Sequence, residues 1–176
     1  MQMENDPMAS QSDSAEKGRY DLLAAQLRAL VDNEPDFLAN AANAASLLYH
    51  GLPDVNWVGF YWLKQGQLVL GPFQGKPACT RIALGRGVCG TAAEKRETVV
   101  VPDVEKFPGH IACDVASRSE IVVPLVVAQR LVGVLDVDSA RVGRFDDTDR
   151  QGLERLAKVF LELACESIAC VPRFLD

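Results

Sequence analysis

Three cysteine thiols in the middle of the chain suggest thiol redox chemistry. Cys113 lies in a polar, turn-rich run beside His110 and Asp114, a position that predicts an accessible loop rather than the core. Two thiols upstream, Cys79 and Cys89, can accept a disulfide from it. Because a reactive thiol must be both accessible and ionised, redox use of Cys113 is our first hypothesis, and an incidental, partly buried thiol is the alternative.

The other cysteines differ in their surroundings. Cys89 lies in the glycine-rich run 85–90, which is predicted to lead into a short helix. Backbone amides at a helix start stabilise a thiolate, so a reactive Cys89 is one interpretation. For Cys79 and Cys89 the alternative is a small apolar residue in a turn. We interpret Cys165 and Cys170, near the last predicted helix and the chain end, as structural or incidental.

One set of side chains has the ligand types that zinc prefers: Cys79, Cys89, His110 and Cys113. The chain has no Cys-x-x-Cys pair, however, and the spacings match no common zinc finger, so we predict no metal site. The missing pair also argues against a thioredoxin-like fold. The run Gly85-x-Gly-x-x-Gly90 resembles a dinucleotide-binding fingerprint, but its short flanking segments do not form a βαβ unit.

Three acidic residues are predicted to share one face of a β-sheet. Asp136 and Asp138 are two residues apart in an apolar, strand-like run, so their side chains project from the same face. If the hairpin loop comprises the three residues 128–130, Glu120 on the preceding strand faces Asp138, whereas a two-residue loop breaks this alignment. Because opposed carboxylates destabilise a sheet, we expect a cation between them. Solvated acids at strand ends are the alternative.

Hydrophobic periodicity predicts the elements that position these residues. Helical spacing predicts a first helix around Tyr20–Leu30 and a second that begins at Pro35 and stops at Gly51. Trp57 and Tyr61 share one face of the first strand-like run, where they fit either the core or a ligand cage. The predicted strands are 57–63, 68–70, 79–84, 98–101, 120–127 and 131–138, with a short helix at 91–95.

Together these elements predict a single α+β domain. Its centre is an antiparallel sheet of about six strands, mostly joined as hairpins. N-terminal helices and a C-terminal helix, which opens with an acidic first turn at 145–149, pack on the sheet. The polar residues 1–15 are predicted to be a disordered tail, and residues 16–172 the domain.

Composition and charge exclude several partners. The chain has 176 residues, a net charge of −6 and five cysteines, and its pI is near 5.0. An acidic protein is a poor partner for nucleic acid or an anionic membrane, but it suits a cationic or zwitterionic small ligand. No apolar run is long enough to span a membrane, and no signal peptide opens the chain. An odd number of widely spaced cysteines favours a reducing, cytoplasmic location.

Six blocks of sequence contain these candidate residues. They are Asn56-Trp-Val-Gly-Phe-Tyr61, Gln74-Gly-Lys-Pro-Ala-Cys79, Gly85-Arg-Gly-Val-Cys-Gly90, Phe107-Pro-Gly-His-Ile-Ala-Cys-Asp114, Ser119-Glu-Ile-Val-Val-Pro124 and Gly133-Val-Leu-Asp-Val-Asp-Ser139. Their combination resembles the free methionine-(R)-sulfoxide reductases, which are enzymes made of a single GAF domain. The resemblance runs from about Tyr20 to Leu163.

The resemblance implies a thiol mechanism. Cys113 corresponds to the catalytic cysteine, which attacks the sulfoxide sulfur, releases methionine and becomes a sulfenic acid. Cys79 or Cys89 then forms a disulfide with it, and the resemblance does not say which is the main resolving cysteine. Thioredoxin supplies the reducing equivalents, so no cofactor is implied. Domains of this kind are commonly dimeric, which makes a homodimer the expectation.

The resemblance also implies how the substrate binds. Acids matching Glu120, Asp136 and Asp138 hold the ammonium group and assist protonation of the sulfoxide oxygen. Trp57 and Tyr61 match aromatic residues that contact the methyl–sulfur end. A peptide-bound methionine lacks the ammonium group, so the acid cluster is expected to select the free amino acid.

Two rival functions belong to other classes. A non-catalytic GAF module that senses a small ligand, such as a cyclic nucleotide, has no need for three thiols around its pocket. A zinc-binding structural domain is separated from an enzyme by a metal assay on protein purified without chelator.

Overall fold

The computed structural model describes the backbone of residues 7–111 and 114–164, and side chains within these ranges from residue 15 to residue 163. This part of the chain forms four α-helices and six β-strands. In chain order they are α1 (Pro7–Val31), α2 (Phe37–Gly51), β1 (Trp57–Lys64), β2 (Gln67–Gln74), β3 (Arg81–Ala83), α3 (Gly87–Lys95), β4 (Val99–Val101), β5 (Ser119–Val127), β6 (Arg130–Ser139) and α4 (Asp147–Ala164). A short 3-10 helix, Val104–Lys106, lies between β4 and β5.

The six strands form one antiparallel sheet in the order β3-β2-β1-β6-β5-β4. The hairpins β1–β2 and β5–β6 follow the predicted strand pairs. Pairing of β1 with β6 joins these two hairpins side by side, so residues far apart in the sequence meet at the centre of the sheet. The predicted α+β architecture with six strands is confirmed.

The two faces of the sheet are covered differently. α1, α2 and α4 bury a large apolar cluster against one side, which we call the helix face. α3 and the loops around it cover the other side, which we call the pocket face. Alternation along β1 divides its aromatic residues, since Phe60 and Trp62 lie on the helix face whereas Trp57 and Tyr61 lie on the pocket face.

α1 begins earlier than the periodicity predicts. Its first residue is Pro7, so residues 7–15, which we interpreted as part of a disordered tail, are helical. Apolar periodicity does not detect this segment because it is mostly polar. Farther along the helix, Tyr20, Leu23 and Leu27 are buried in the cluster on the helix face. The domain boundaries stay predictions, and residues 1–6 and both C-terminal cysteines lie outside the described part of the chain.

The β5–β6 hairpin has the predicted register near the acids, but its loop differs from the predicted one. Its loop has two residues, Ala128 and Gln129, both with positive φ, and Val127 pairs with Arg130. A β-bulge next to this tip adds one residue on β6, because Val126 pairs with Leu131 whereas Leu125 pairs with Gly133. The predicted three-residue loop is therefore wrong, but the bulge restores the alignment beyond it.

No helix within the described ranges combines the length and apolar character needed to cross a lipid bilayer.

Candidate active site

A pocket of about 500 Å³, counting its open mouth, lies on the pocket face beneath α3 and the loop that precedes β5. Six of the residues predicted from the sequence line it: Trp57, Tyr61, Cys89, Glu120, Asp136 and Asp138. Cys79 directly follows the lining residue Ala78. Cys113 lies outside the described residues, in the gap between the lining residues Ile111 and Asp114.

The central strands bring the three acids together. Glu120 on β5 pairs directly with Asp138 on β6, as predicted. Asp136 lies two residues earlier on the same face of β6, where β1 places Gly59 opposite it. Glu120 and Asp136 are each only 6% exposed. Three carboxyl groups therefore share the floor of one pocket.

Gly59 makes room for the aromatic wall of the pocket. A Cβ at this position would come within 2.4 Å of the Trp57 ring and 2.5 Å of the Phe73 side chain. The absence of a side chain lets Trp57 lie over the strand, with its ring centre 5.9 Å from that of Tyr61 and 5.4 Å from that of Phe73. The indole N–H of Trp57 donates to the Lys76 carbonyl at 3.1 Å, which fixes the ring.

Burial suppresses ionisation of the acids. Desolvation raises the pKa of Glu120 and Asp138 well above the usual range of carboxyl groups, and the neighbouring Asp136 carboxylate adds to the effect. Burial raises the pKa of Asp136 to about 7. The cluster therefore holds protons near neutral pH, when an ordinary carboxyl group has lost its own.

Cys89 does not fulfil the prediction of a thiolate at a helix start. It lies in the first turn of α3, but it is buried, and its thiol donates to Glu120 Oε1 at 3.8 Å. Burial, reinforced by the charges of Asp136 and Glu120, raises the pKa of the Cys89 thiol well above its usual value. Desolvation and two carboxyl groups outweigh the helix dipole, and Cys89 is a protonated thiol.

Cys79 and Cys89 differ in oxidation state in the structure. Cys79 is disulfide-bonded, whereas Cys89 is a free thiol. The Tyr61 hydroxyl donates to the Cys79 carbonyl at 3.0 Å and so ties this segment to the pocket wall. A disulfide-bonded Cys79 is not available to a metal, so the zinc set considered from the sequence does not form in this state.

A polar clasp at the rim connects the two cysteine-bearing segments. Asp114, next to Cys113 in sequence, contacts Lys76 Nζ at 3.4 Å. The Asn56 side-chain amide donates to Asp114 Oδ2 at 3.4 Å and to Ser117 Oγ at 3.1 Å. The N–H of Ala116, followed by Lys76, holds the pKa of Asp114 below its usual value. These contacts connect the segment that precedes Cys79 to the segment that follows Cys113.

His110 lies against the acid floor. Its Nε2 is 3.8 Å from Glu120 Oε2, and burial lowers the pKa of the imidazole. The sequence indicated His110 as a neighbour of Cys113 and as a member of the zinc set. Asn56 and Lys76 lie in two of the sequence blocks, but no role was predicted for them or for Ser117, because hydrogen bonds between distant loops leave no periodic signal. Gly59 did leave one, since an isolated glycine in an aromatic strand often marks a close approach.

Comparisons with known proteins identify the family of this chain. A GAF-domain family model matches residues 31–160. The free methionine-R-sulfoxide reductase of Escherichia coli is 56% identical over 137 residues, which cover 78% of this chain and 83% of that protein. The Saccharomyces cerevisiae protein of the same name is 47% identical over 138 residues, which cover 74% of this chain and 77% of that protein.

A solved structure extends the similarity to three dimensions. The X-ray structure of the Neisseria meningitidis free methionine-R-sulfoxide reductase, in complex with its substrate, superposes with a TM-score of 0.80 at 48% identity. The match covers 82% of this chain and 87% of that one. The predicted GAF fold is thereby confirmed, and the chain belongs to the free methionine-(R)-sulfoxide reductase family of GAF-domain proteins.

Proposed function

We propose that this protein reduces free methionine-(R)-sulfoxide to methionine through a cysteine sulfenic acid that thioredoxin recycles by way of a disulfide. The observation that carries the proposal is the meeting of three carboxyl groups, two of them buried and that of Asp138 half-buried, with two aromatic rings in one pocket. The relatives named for this activity and the substrate complex of the Neisseria protein support it.

The pocket offers a place for each part of a free amino acid. The ammonium group fits against Glu120, Asp136 and Asp138, because a cation between them removes their mutual repulsion. The methyl–sulfur end fits against the faces of Trp57 and Tyr61, where sulfur contacts with aromatic rings are favourable. The carboxylate fits at the start of α3, where Arg86 lines the pocket and makes no side-chain hydrogen bond as the N-cap of this helix.

This arrangement selects the free amino acid over a methionine residue in a peptide. A peptide nitrogen carries no positive charge and leaves the buried carboxyl groups without a counter-ion. Buried charged groups without partners are costly, so a peptide substrate loses most of its binding free energy at this floor. The preference for the R epimer rests on the family resemblance.

The chemistry transfers one oxygen atom and two electrons. The Cys113 sulfur attacks the sulfoxide sulfur, the oxygen takes up a proton, and the products are methionine and a Cys113 sulfenic acid. A second thiol attacks the sulfenic sulfur, forms a disulfide and releases the oxygen as water. A carboxyl group that is still protonated near neutral pH is suited to supply the first proton, and Glu120, Asp136 and Asp138 all have a raised pKa.

We assign Cys79 as the main resolving cysteine and Cys113 as its partner. Cys79 is disulfide-bonded in the structure, and the Lys76–Asp114 contact joins the segments that carry the two cysteines. Cys89 is a free, buried thiol with a raised pKa and is a poor nucleophile for resolution. Thioredoxin then reduces the disulfide by thiol exchange, so the cycle needs no cofactor or metal. The cytoplasm, where thiols are kept reduced, suits this cycle, and the active form is proposed to be a homodimer.

A thioredoxin-coupled assay tests the activity directly. Free methionine-(R)-sulfoxide should be turned over, whereas the free S epimer and a peptide-bound sulfoxide should react poorly. Equal turnover of the peptide substrate would disprove the role of the acid floor. Cys113→Ser should abolish turnover, because serine is a weak nucleophile without a dedicated base, and Cys165→Ser serves as the matched control with a near-normal rate.

A single-turnover experiment tests the resolving step. Cys79→Ser should still release one methionine per chain and then stop, whereas Cys89→Ser should continue to cycle with thioredoxin. Mass mapping of the substrate-oxidised wild type should find Cys113 linked to Cys79. A Cys113–Cys89 disulfide as the main product would reverse the assignment.

A further inference from the structure

The floor of the pocket also contains a compact set of metal-binding donor atoms. One donor atom from each of Cys89, Glu120 and Asp136 lies within 4.8 Å of the other two, and all three residues are buried. Cys89 Sγ is 3.8 Å from Glu120 Oε1, and His110 Nε2 is 3.8 Å from Glu120 Oε2. Zinc–ligand bonds of roughly 2.0–2.3 Å place two tetrahedral ligands about 3.5 Å apart. The Cys89–Glu120 contact is therefore within a few tenths of an ångström of the spacing between two zinc ligands, whereas His110 contacts the other oxygen of Glu120 and lies outside the three-residue set.

A second, independent observation points to a ligand at this position. Asp136 lines the pocket and is 6% exposed, yet its Oδ1 atom has no hydrogen-bond partner among the described residues. A buried oxygen acceptor without a partner is costly, so the atom requires a donor or a cation from within the pocket. The substrate ammonium group is one such cation, and a metal ion in contact with the same oxygen is another.

The donor types decide which metal fits. Magnesium and calcium prefer six or more oxygen ligands, so a site that contains a thiol and an imidazole does not suit them. Zinc accepts cysteine, histidine and carboxylate together in a four-coordinate site. We infer that the pocket binds one Zn²⁺ ion through Cys89, Glu120 and Asp136, with His110 as the fourth donor, and that zinc and the amino-acid substrate exclude each other.

This site differs from the zinc set considered from the sequence. It uses neither Cys79 nor Cys113, so it exists whether or not Cys79 is in a disulfide. Its overlap with Glu120 and Asp136 places the metal where the substrate ammonium group is proposed to bind, and this part of the inference rests on the proposed function. Zinc is therefore a reversible inhibitor that occupies the pocket.

Cobalt titration of a single-thiol variant tests the site without turnover. In the full-length protein, Cys79, Cys113, Cys165 and Cys170 are replaced by serine, which leaves Cys89 as the one thiol. One Co²⁺ per chain should produce a thiolate-to-cobalt charge-transfer band, and Zn²⁺ should remove the band by displacement. Adding Cys89→Ser should abolish the band. Glu120→Gln should weaken binding at least about 10-fold, since even the loss of an outer-shell partner costs 10-fold to 100-fold.

Controls keep the outcome decisive. Glu105→Gln makes the same chemical change at an exposed carboxylate and should leave the affinity unchanged. If the four-serine variant does not fold, wild-type protein oxidised with substrate serves instead, with its own Cys89→Ser variant as the control, because Cys89 is free when Cys79 is disulfide-bonded. Absence of the band, or its persistence after Cys89→Ser, overturns the site.

The same variant tests mutual exclusion, because a protein without Cys113 leaves the sulfoxide unreacted. Free methionine sulfoxide at about ten times its own Kd should raise the apparent Kd for zinc about 11-fold if the two ligands compete. An unchanged zinc affinity overturns the exclusion. Failure to bind metal in a protein whose wild type reduces free methionine sulfoxide overturns the zinc site alone and leaves the proposed function standing.

Discussion

The same strands form the helix face and the pocket face of the sheet, but with different residue types: apolar and aromatic residues on the helix face, and acidic residues on the pocket face. On the helix face, Phe60 lies against Trp62 and Phe160 with ring centres 5.1 Å apart in both pairs. On the pocket face, the strand neighbours are Glu120, Asp136 and Asp138, whose burial opposes their ionisation. Apolar burial on one side stabilises the fold, whereas carboxyl burial on the other side costs free energy until a ligand arrives.

The contrast teaches that stability and ligand recognition are separated by alternation along the strands. A residue and its next neighbour on β5 or β6 belong to different faces, so a substitution at one position changes stability and the adjacent one changes binding. Four substitutions or conditions, taken in order of decreasing effect, test how complete this separation is.

Truncation on the helix face should have the largest effect on stability. Phe160 on α4 is 1% exposed and packs against Phe60 and Phe37. Phe160→Ala should lower the free energy of unfolding by about 3–5 kcal/mol, through lost burial and the cavity left behind. Leu22→Ala removes an apolar side chain that is 59% exposed and is the matched control. Denaturant titration gives the stability, and a loss under about 1 kcal/mol for Phe160→Ala would show that this face repacks freely.

Neutralising a carboxyl group on the pocket face should affect binding and not stability. Asp138→Asn removes a charged contact worth about 1.5–3 kcal/mol, which corresponds to roughly 10-fold to 150-fold weaker substrate binding. The fold should remain intact or become slightly more stable, because Asp138 no longer opposes Glu120. Asp147→Asn, at an exposed position of α4, is the control. A lower melting temperature with normal kinetics would make Asp138 a structural residue.

Substitutions on the pocket face should change the pH dependence of stability, whereas substitutions on the helix face should not. A carboxyl group whose pKa is raised on folding binds protons more tightly in the folded state, so its contribution is complete below its unfolded pKa and is lost as the pH rises. For Asp136 the loss runs from its ordinary value of 3.8 to about 7, and Glu120 and Asp138 extend it upward.

Substrate-free wild-type protein should therefore lose several degrees of Tm relative to Asp136→Asn between about pH 5 and about pH 8. Thermal melts of the two proteins across this range give the comparison. Titrating groups that Asp136 does not influence cancel in it, whereas Glu120 and Asp138 lose the part of their raised pKa that the Asp136 charge causes and so contribute to the difference. The Phe160→Ala variant should run parallel to the wild type. Parallel curves for Asp136→Asn as well would mean that the pKa of Asp136 is not raised.

The tip of the β5–β6 hairpin should give the smallest effect and leave both faces unchanged. Gln129 has a φ of 64°, which lies in the left-handed region. A residue with a Cβ has a higher free energy in this region than in the right-handed region, whereas glycine does not. Gln129→Gly should stabilise the protein by about 0.5–1 kcal/mol, the relief being partly offset by the greater entropy of glycine in the unfolded chain. Kinetics should not change. A loss of activity in this variant would show that the tip controls the register of the acids.

The sequence predicted the elements with strong periodic patterns. Alternation of apolar residues with Asp136 and Asp138 placed both acids on one face, and the two hairpins followed from turn residues between β-favouring runs. The first half of α1 was not predicted because its polar residues carry no apolar period. Its position depends on packing farther along the helix, where Tyr20 donates to the buried Asp149 at 2.8 Å.

The features that the sequence did not predict depend on the environment rather than on local pattern. The ionisation state of Cys89 is set by burial and by carboxyl groups that come from strands distant in the sequence, so the helix-start argument gave the wrong sign. The bulge left a weak signal in Gly133, where a Cβ would come within 2.2 Å of the Tyr61 carbonyl oxygen. An isolated glycine in a strand is compatible with a bulge, but it does not fix where the extra residue goes.

The bulge beside the hairpin tip has a consequence for slippage of the chain. The observed two-residue loop with a bulge and a three-residue loop without one give the same pairing of Glu120 with Asp138. The tip can therefore exchange one arrangement for the other while the acids keep their partners. Loss of one residue at the tip has the same outcome, because a two-residue loop without the bulge also keeps Glu120 opposite Asp138 and leaves the side chains beyond the tip on their own faces. Loss of Val137, between the two acids of β6, is different, because it places Asp136 and Asp138 on opposite faces of the sheet. Changes of length by one residue should accordingly be tolerated at the tip of this hairpin and rejected between the acids.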